Sequence, residues 1–234
     1  MNESETPTAL IAGGSGDIGR AIATRLGGLG YRIVLAARDE RRLAEAESAL
    51  QAAGHSVESH RCDLREETEI DALVQSVLES TGRIDVLVNA AGVSHGEILL
   101  RSRRQSWDDM LATNLVGAAM LCKAVLKGMR RRKSGYIIQI GSIAGQEGIA
   151  GRAAYSASKA GLRAMSDSLR AEVRNHGVRV STISPGMVDT RMHGPDNAQA
   201  DQMLRPADVA DAVAFLLGLS PNSTVRELLL ETNV

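Results

Sequence analysis

The stretch TALIAGGSGDIGRAIA, Thr8 to Ala23, joins an apolar run to a glycine cluster and then to a helical pattern. Two glycine frames overlap in it. Gly14, Gly16 and Gly19 spell G-x-G-x-x-G, the dinucleotide pattern, whereas Gly13, Asp17 and Gly19 spell G-x-x-x-G-x-G with an aspartate in place of the middle glycine. In either frame, small residues let the backbone close on a diphosphate. The unpaired N–H groups and dipole of a helix starting near Asp17 favour the same anion. A tight turn in any α/β protein is the plain alternative, so the rest of the chain decides.

Seven short runs rich in β-branched and apolar residues follow one another: TALIAG, YRIVLAA, SVESHR, IDVLVNA, GYIIQIGS, GVRVSTIS and VRELLLE. Six helical segments separate them, which predicts an α/β fold: a doubly wound, seven-stranded parallel sheet with helices on both faces. With 234 residues, 44% of them apolar, the chain suits one core, and residues 1–234 are expected to form one domain. The interval from Pro185 to Pro206 has no period and reads as a long functional loop, with a short lid from Asp189 to Leu204.

A net charge of −1 and 2% aromatic residues offer neither a basic field nor stacking platforms, so nucleic acid is not an expected partner. The opening MNESETPTA lacks a basic start and an apolar run, and no later stretch is apolar throughout over a membrane-spanning length. A soluble, cytoplasmic protein without a membrane partner is expected. Cys62 and Cys122 fit neither a metal-ligand pattern nor a disulfide framework and read as structural, and no metal site is expected.

Tyr155 and Lys159 stand at i and i+4 in AAYSASKAG, so a helix projects both from one face. An ammonium beside a phenol favours the phenolate and suits the tyrosine to giving and taking a proton. Ser142 ends the predicted strand GYIIQIGS, where open parallel sheets place their ligands. Taken singly, each is a common surface or turn residue.

NAAG (Asn89 to Gly92), Asn114 in MLATNLVG, Ser142, YSASK and SPGMVDT (Ser184 to Thr190) occur in the order seen in short-chain dehydrogenase/reductases, which the chain resembles over nearly its whole length. The resemblance implies a Rossmann fold and an NAD(P)-dependent oxidoreductase acting on a carbonyl or secondary alcohol. It selects the second frame: Ala12 replaces the family's threonine, Gly13 and Gly19 hold, and Asp17 replaces a glycine. Aspartate tolerates a left-handed backbone, which is the conformation expected there. Gly13, Ser15, Gly16, Asp17, Ile18 and Gly19 are the implied diphosphate turn.

The same resemblance assigns catalysis to Asn114, Ser142, Tyr155 and Lys159. Tyr155 exchanges the proton and Ser142 bonds the same substrate oxygen. Lys159 holds the nicotinamide ribose, and Asn114 positions a water leading from Lys159 to solvent. Asp63 is expected at the adenine amino group with Leu64 nearby, and Asn89, Ala90, Ala91 and Gly92 under the adenosine ribose. Pro185, Gly186, Val188 and Thr190 are expected at the nicotinamide carboxamide.

Asp39 lies about twenty residues past Gly19, as an NAD-selecting acid would. In the family, however, that acid ends the second strand, where this chain has Ala37, and Arg38 follows where NADP-preferring relatives carry a base. NADP(H) is therefore favoured over NAD(H), with Arg38 on the 2′-phosphate. Arg41 and Arg42 read first as a solvated helix face and second as helpers.

The substrate is a small carbonyl or alcohol, with an acyl thioester as an option, because the central portion resembles 3-oxoacyl-carrier-protein reductases. The ending TVRELLLETNV lacks their glycine pair. The basic clusters Arg101 to Arg104 and Arg130 to Lys133 read as solvated surface rather than as a carrier-protein contact. A homodimer or homotetramer through helices near Met110 to Met129 and Ala153 to Asn175 is expected. A non-catalytic NADPH-binding or structural subunit is the alternative of another class.

Overall fold

The computed structural model describes residues 6–191 and 200–233. Seven strands form one sheet: β1 (Thr8–Ala12), β2 (Arg32–Ala37), β3 (Val57–Arg61), β4 (Val86–Asn89), β5 (Gly135–Ile140), β6 (Val178–Pro185) and β7 (Glu227–Leu230). Their spatial order is β3-β2-β1-β4-β5-β6-β7, and every pairing is parallel. Seven α-helices connect them: α1 (Asp17–Gly27), α2 (Glu40–Ala52), α3 (Glu67–Thr81), α4 (Arg104–Leu111), α5 (Ala118–Arg132), α6 (Ala153–Val173) and α7 (Pro206–Gly218). A π-helical stretch, Ala112–Gly117, joins α4 to α5, so the two run on as one rod. This is the predicted Rossmann-type architecture.

Side-chain alternation explains why the central strands β2, β1 and β4 are mostly apolar, since both of their faces are covered. Ala9 and Ile11 of β1 pack with Ile22 of α1, Leu43 of α2 and Val213 of α7, while Leu10 and Ala12 face Leu73 of α3, Val125 of α5 and Leu169 of α6. Helices α1, α2 and α7 thus cover one face, and α3, α5 and α6 the other. The rod Arg104–Arg132 is long and apolar enough by composition to cross a membrane. Its apolar content, however, includes Leu121, Cys122, Val125 and Met129, all buried against the sheet.

Strand β1 pairs with β2 on one side and β4 on the other. The chain reverses its winding direction there, and open α/β sheets form their ligand crevice beyond the strand ends at such a point. The glycine turn follows β1, and Ala90 to Gly92 follow β4.

Candidate active site

Gly13 leaves β1 with φ +78°, and a Cβ on it would lie 2.6 Å from the backbone nitrogen of Ala91. A Cβ on Gly19 would lie 2.3 Å from the carbonyl oxygen of Gly13. The second glycine frame therefore describes the turn: Gly13, which that frame alone contains, and Gly19, which both share, meet backbone atoms that leave no room for a larger residue. Asp17 departs from expectation. It is the first residue of α1, and among the described non-glycine residues only Lys133 has positive φ, so Asp17 is not left-handed. Its position needs no glycine because the helix has already begun.

The Asp17 carboxylate accepts from the backbone N–H of Arg191 at 2.9 Å and from its guanidinium at 2.8 and 3.0 Å. Burial works to raise the Asp17 pKa, but the hydrogen bonds and charge of Arg191 hold it below the ordinary carboxyl value. Ser15, Gly16, Ile18 and Arg191 line the same cleft as this pair.

At the adenosine end, Ala37 closes β2 and Arg38 lines the cleft. Asp39 caps α2, accepting the Arg42 backbone N–H at 3.0 Å, so this carboxylate is engaged as a helix cap. Arg41 is exposed and pairs with Glu45. Arg42 does not keep to a solvated face: its Nη2 donates to the Ser15 carbonyl at 3.2 Å, its Nε is buried without a partner, and it lines the cleft. Asp63 and Leu64 line it too, with Arg65 donating to both Asp63 oxygens at 2.6–3.1 Å. Burial acts to raise the Asp63 pKa, and the Arg65 bonds and charge bring it below the usual value.

Ala90, Ala91 and Gly92 line the cleft, but Asn89 does not. Asn89 is the last residue of β4 and is 2% exposed, with its Nδ2 donating to Gln139 Oε1 at 3.0 Å inside the sheet. Strand alternation turns its side chain to the core, so of NAAG the last three residues face the crevice.

Tyr155 and Lys159 lie on α6 and line the cleft together with Ser142. The Lys159 ammonium sits 5.8 Å from the Tyr155 ring centre and donates to the Ile140 carbonyl at 2.9 Å. Ser142 follows β5, and its Oγ accepts the Ala144 N–H at 3.1 Å, leaving its own O–H free to aim elsewhere. Asn114, 1% exposed in the π-helical stretch, stands behind the cleft rather than in its lining. Its Oδ1 accepts from Val93 N–H at 2.8 Å, and its Nδ2 donates to the Val93 carbonyl at 2.9 Å and to Ser158 Oγ at 3.0 Å. Ser158 Oγ in turn donates to the Tyr155 carbonyl at 2.7 Å. With both N–H groups committed, the Asn114 side chain ties the segment after β4 to the tyrosine's helix.

Pro185, Gly186, Val188 and Thr190 line the remaining wall. Val188 bridges to Leu204, fixing both ends of the predicted lid, whose residues 192–199 lie outside the described ones. Part of each basic cluster is engaged within the molecule: Arg103 pairs with Glu97, Arg104 with Asp108, Arg130 meets His176, and Arg132 donates to the Ile84 carbonyl. Sequence reasoning passed over Ser94 and His95, which also line the cleft. Their position directly after NAAG was the available signal.

The cleft measures about 1020 Å³, has a glycine turn without room for a Cβ at its floor, and carries Arg38 and Arg42 at one end and Tyr155 at the other. These residues fit a nicotinamide dinucleotide. The family of short chain dehydrogenases matches residues 7–201. A carbonyl reductase family member 4 from Danio rerio is 36% identical over 230 residues, covering 95% of each chain. The 3-oxoacyl-(acyl-carrier-protein) reductase of Vibrio cholerae is 33% identical over 222 residues, covering 91% of this chain and 90% of that one. Among solved structures, an actinorhodin polyketide ketoreductase variant with NADPH superimposes with a TM-score of 0.92 at 33% identity, over 99% of this chain and 98% of that one. A metagenomic short-chain oxidoreductase in complex with NADP superimposes with a TM-score of 0.86 at 39% identity, over 99% of both chains. The chain belongs to the short-chain dehydrogenase/reductase family of NAD(P)-dependent oxidoreductases.

Proposed function

We propose that this protein is an NADP(H)-dependent oxidoreductase that interconverts a small carbonyl compound and its secondary alcohol, with Tyr155 exchanging the proton. The observation that carries the reading is that Tyr155, Lys159 and Ser142 line one cleft with the glycine turn and Arg38. Bound there, the nicotinamide supplies the hydride that reduces the carbonyl carbon, or accepts it in the reverse direction.

The chain's own residues do the rest. Tyr155 gives its hydroxyl proton to the carbonyl oxygen as charge builds on it. Ser142, whose Oγ already accepts from Ala144, directs its O–H to the same oxygen. Lys159, anchored on the Ile140 carbonyl, keeps a positive charge beside the phenolate that remains and has two further N–H groups for ribose hydroxyls. Asn114 and Ser158 fix where the helix carrying the tyrosine stands.

For the cofactor, Arg38, Asp39 and Arg42 all line the adenosine end; the Asp39 carboxylate is engaged as the cap of α2, and the two guanidinium groups suit a 2′-phosphate. The NADP(H) in the two structural neighbours supports this choice. A 3-oxoacyl thioester is the second reading for the substrate, supported by the Vibrio cholerae relative. Association of copies through α5 and α6 is also part of the proposal, read out as the mass in solution.

The test is the absorbance of NADPH and, separately, NADH with a diketone, an aromatic aldehyde and a 3-oxoacyl thioester. Y155F should abolish turnover while binding NADPH as the wild type does. Full activity in Y155F would refute the assigned chemistry.

A further inference from the structure

Arg152 stands three residues before Tyr155, on the same side of α6 and about one turn earlier. Its Nη1 donates to Ser94 Oγ at 2.8 Å; Ser94 lines the cleft with Ser142 and Tyr155, and Arg152 adjoins it just outside the lining. Among the described residues no carboxylate pairs with Arg152, and the Ser94 hydroxyl is its side chain's one hydrogen-bond partner. Glu97 bridges to Arg152 through the backbone, but its carboxylate is committed to Arg103 and Ser106, at 2.9–3.2 Å.

Helix stability does not explain the residue. Arg152 occupies the N-cap of a 21-residue helix whose first turn holds no acidic residue. A cation at that end opposes the helix dipole, and a short polar residue caps better. The half-buried guanidinium therefore keeps most of its fork of N–H donors unsatisfied by the protein. That fork matches the two oxygens of a carboxylate. Because Ser94 Oγ accepts from Arg152, its own O–H is left to point to the same anion.

We propose that Arg152, with Ser94, binds a carboxylate on the substrate, so that the preferred substrates are keto acids and the corresponding hydroxy acids. This rests on the oxidoreductase reading above. On this assignment Arg152 sets specificity and orientation, while the proton chemistry stays with Tyr155.

The experiment compares pyruvate, acetoacetate and levulinate, each against its methyl ester, in wild type, R152Q and R152K, by NADPH consumption. In parallel, calorimetry titrates the same acids and esters into NADP+-loaded protein. At least one acid should exceed its ester by about tenfold or more in kcat/KM, a typical worth for one charge-assisted fork. R152Q should collapse that ratio to about one, chiefly through KM, and R152K should retain part of it. A wild type that handles acids and esters alike overturns the proposal and leaves the oxidoreductase reading standing. So does an R152Q that lowers both equally, since that is the mark of a structural role. If none of these compounds is turned over, the oxidoreductase reading is judged on its own panel above, and calorimetry still decides here: acids binding no tighter than esters, or binding unchanged in R152Q, overturns the carboxylate assignment.

Discussion

Arg191 fastens onto Asp17 with its backbone N–H and its guanidinium, joining the segment after β6 to the first turn of α1. The two residues are far apart in sequence, and both line the cofactor cleft. The pair reconciles a carboxylate with a diphosphate site: Arg191 cancels a charge that would otherwise repel the anion.

Removing only the arginine exposes that repulsion. R191A should weaken NADPH binding by about tenfold, the scale of a charge-assisted hydrogen-bonded contact. D17G/R191A should recover most of the loss, because no charge is then left uncompensated. Titration of NADPH fluorescence without substrate measures both, and a double variant as weak as R191A would refute the compensation argument.

Acid should unmake this pair late. The folded Asp17 pKa lies below the ordinary carboxyl value, so its contribution to stability is complete above that value and fades as pH falls through the folded pKa. The melting-temperature difference between wild type and D17N should hold steady from pH 7 to about 5 and shrink below about 4. A difference that disappears near neutrality would contradict the pairing.

Arg38 and Arg42 should govern cofactor choice while Asp39 governs α2. R42Q and R38Q should each raise the KM for NADPH severalfold more than that for NADH, since only NADPH carries the 2′-phosphate. D39A should cost about 1 kcal/mol of stability, the usual worth of an N-cap. Steady-state kinetics with both cofactors and denaturant melts separate the two roles.

Both thiols should be inert in the native protein. Burial raises the Cys62 pKa to about 11, helped by Glu69 and Asp63, and burial raises that of Cys122 to about 12. Iodoacetamide at pH 8 should leave the folded chain unmodified and add two carbamidomethyl groups after denaturation, read by intact mass.

Asn114 and Ser158 should behave as one unit. Either N114A or S158A strands a buried polar partner, at a cost of about 1–3 kcal/mol. The double variant should cost less than the sum, because the Asn114–Ser158 bond is lost only once. Strict additivity in stability and kcat would show that the tie does not exist.

Much of this was legible beforehand. Strands such as β1 and β4 declared themselves because parallel strands buried on two faces are almost wholly apolar, whereas β3, VESHR, was marked by its place between helical segments. Tyr155 and Lys159 were readable because helical spacing alone puts them on one face. Side-chain direction at strand ends and helix irregularities was not readable in this way. Asn89 turns inward by the pleat, and Asn114 is aimed by a π-helical stretch that no local pattern announces. Asp17 with Arg191, and Arg152 with Ser94, are long-range pairs that only the folded chain brings together.

The π-helical stretch Ala112–Gly117 lets the rod between β4 and β5 carry one residue more than regular α-helix would, without turning α4 against α5. Asn114 stands in that widened part and is bonded to Val93 from there. Excising one residue from the stretch would let the rod rewind as regular α-helix with Cys122 and Val125 still seated on the sheet, and the widening that aims Asn114 would be gone. The same deletion inside α5, where no residue is in surplus, would turn one end of the helix by about 100° against the other. A one-codon loss is thus gentler on the packing at the widened stretch than a few residues further along.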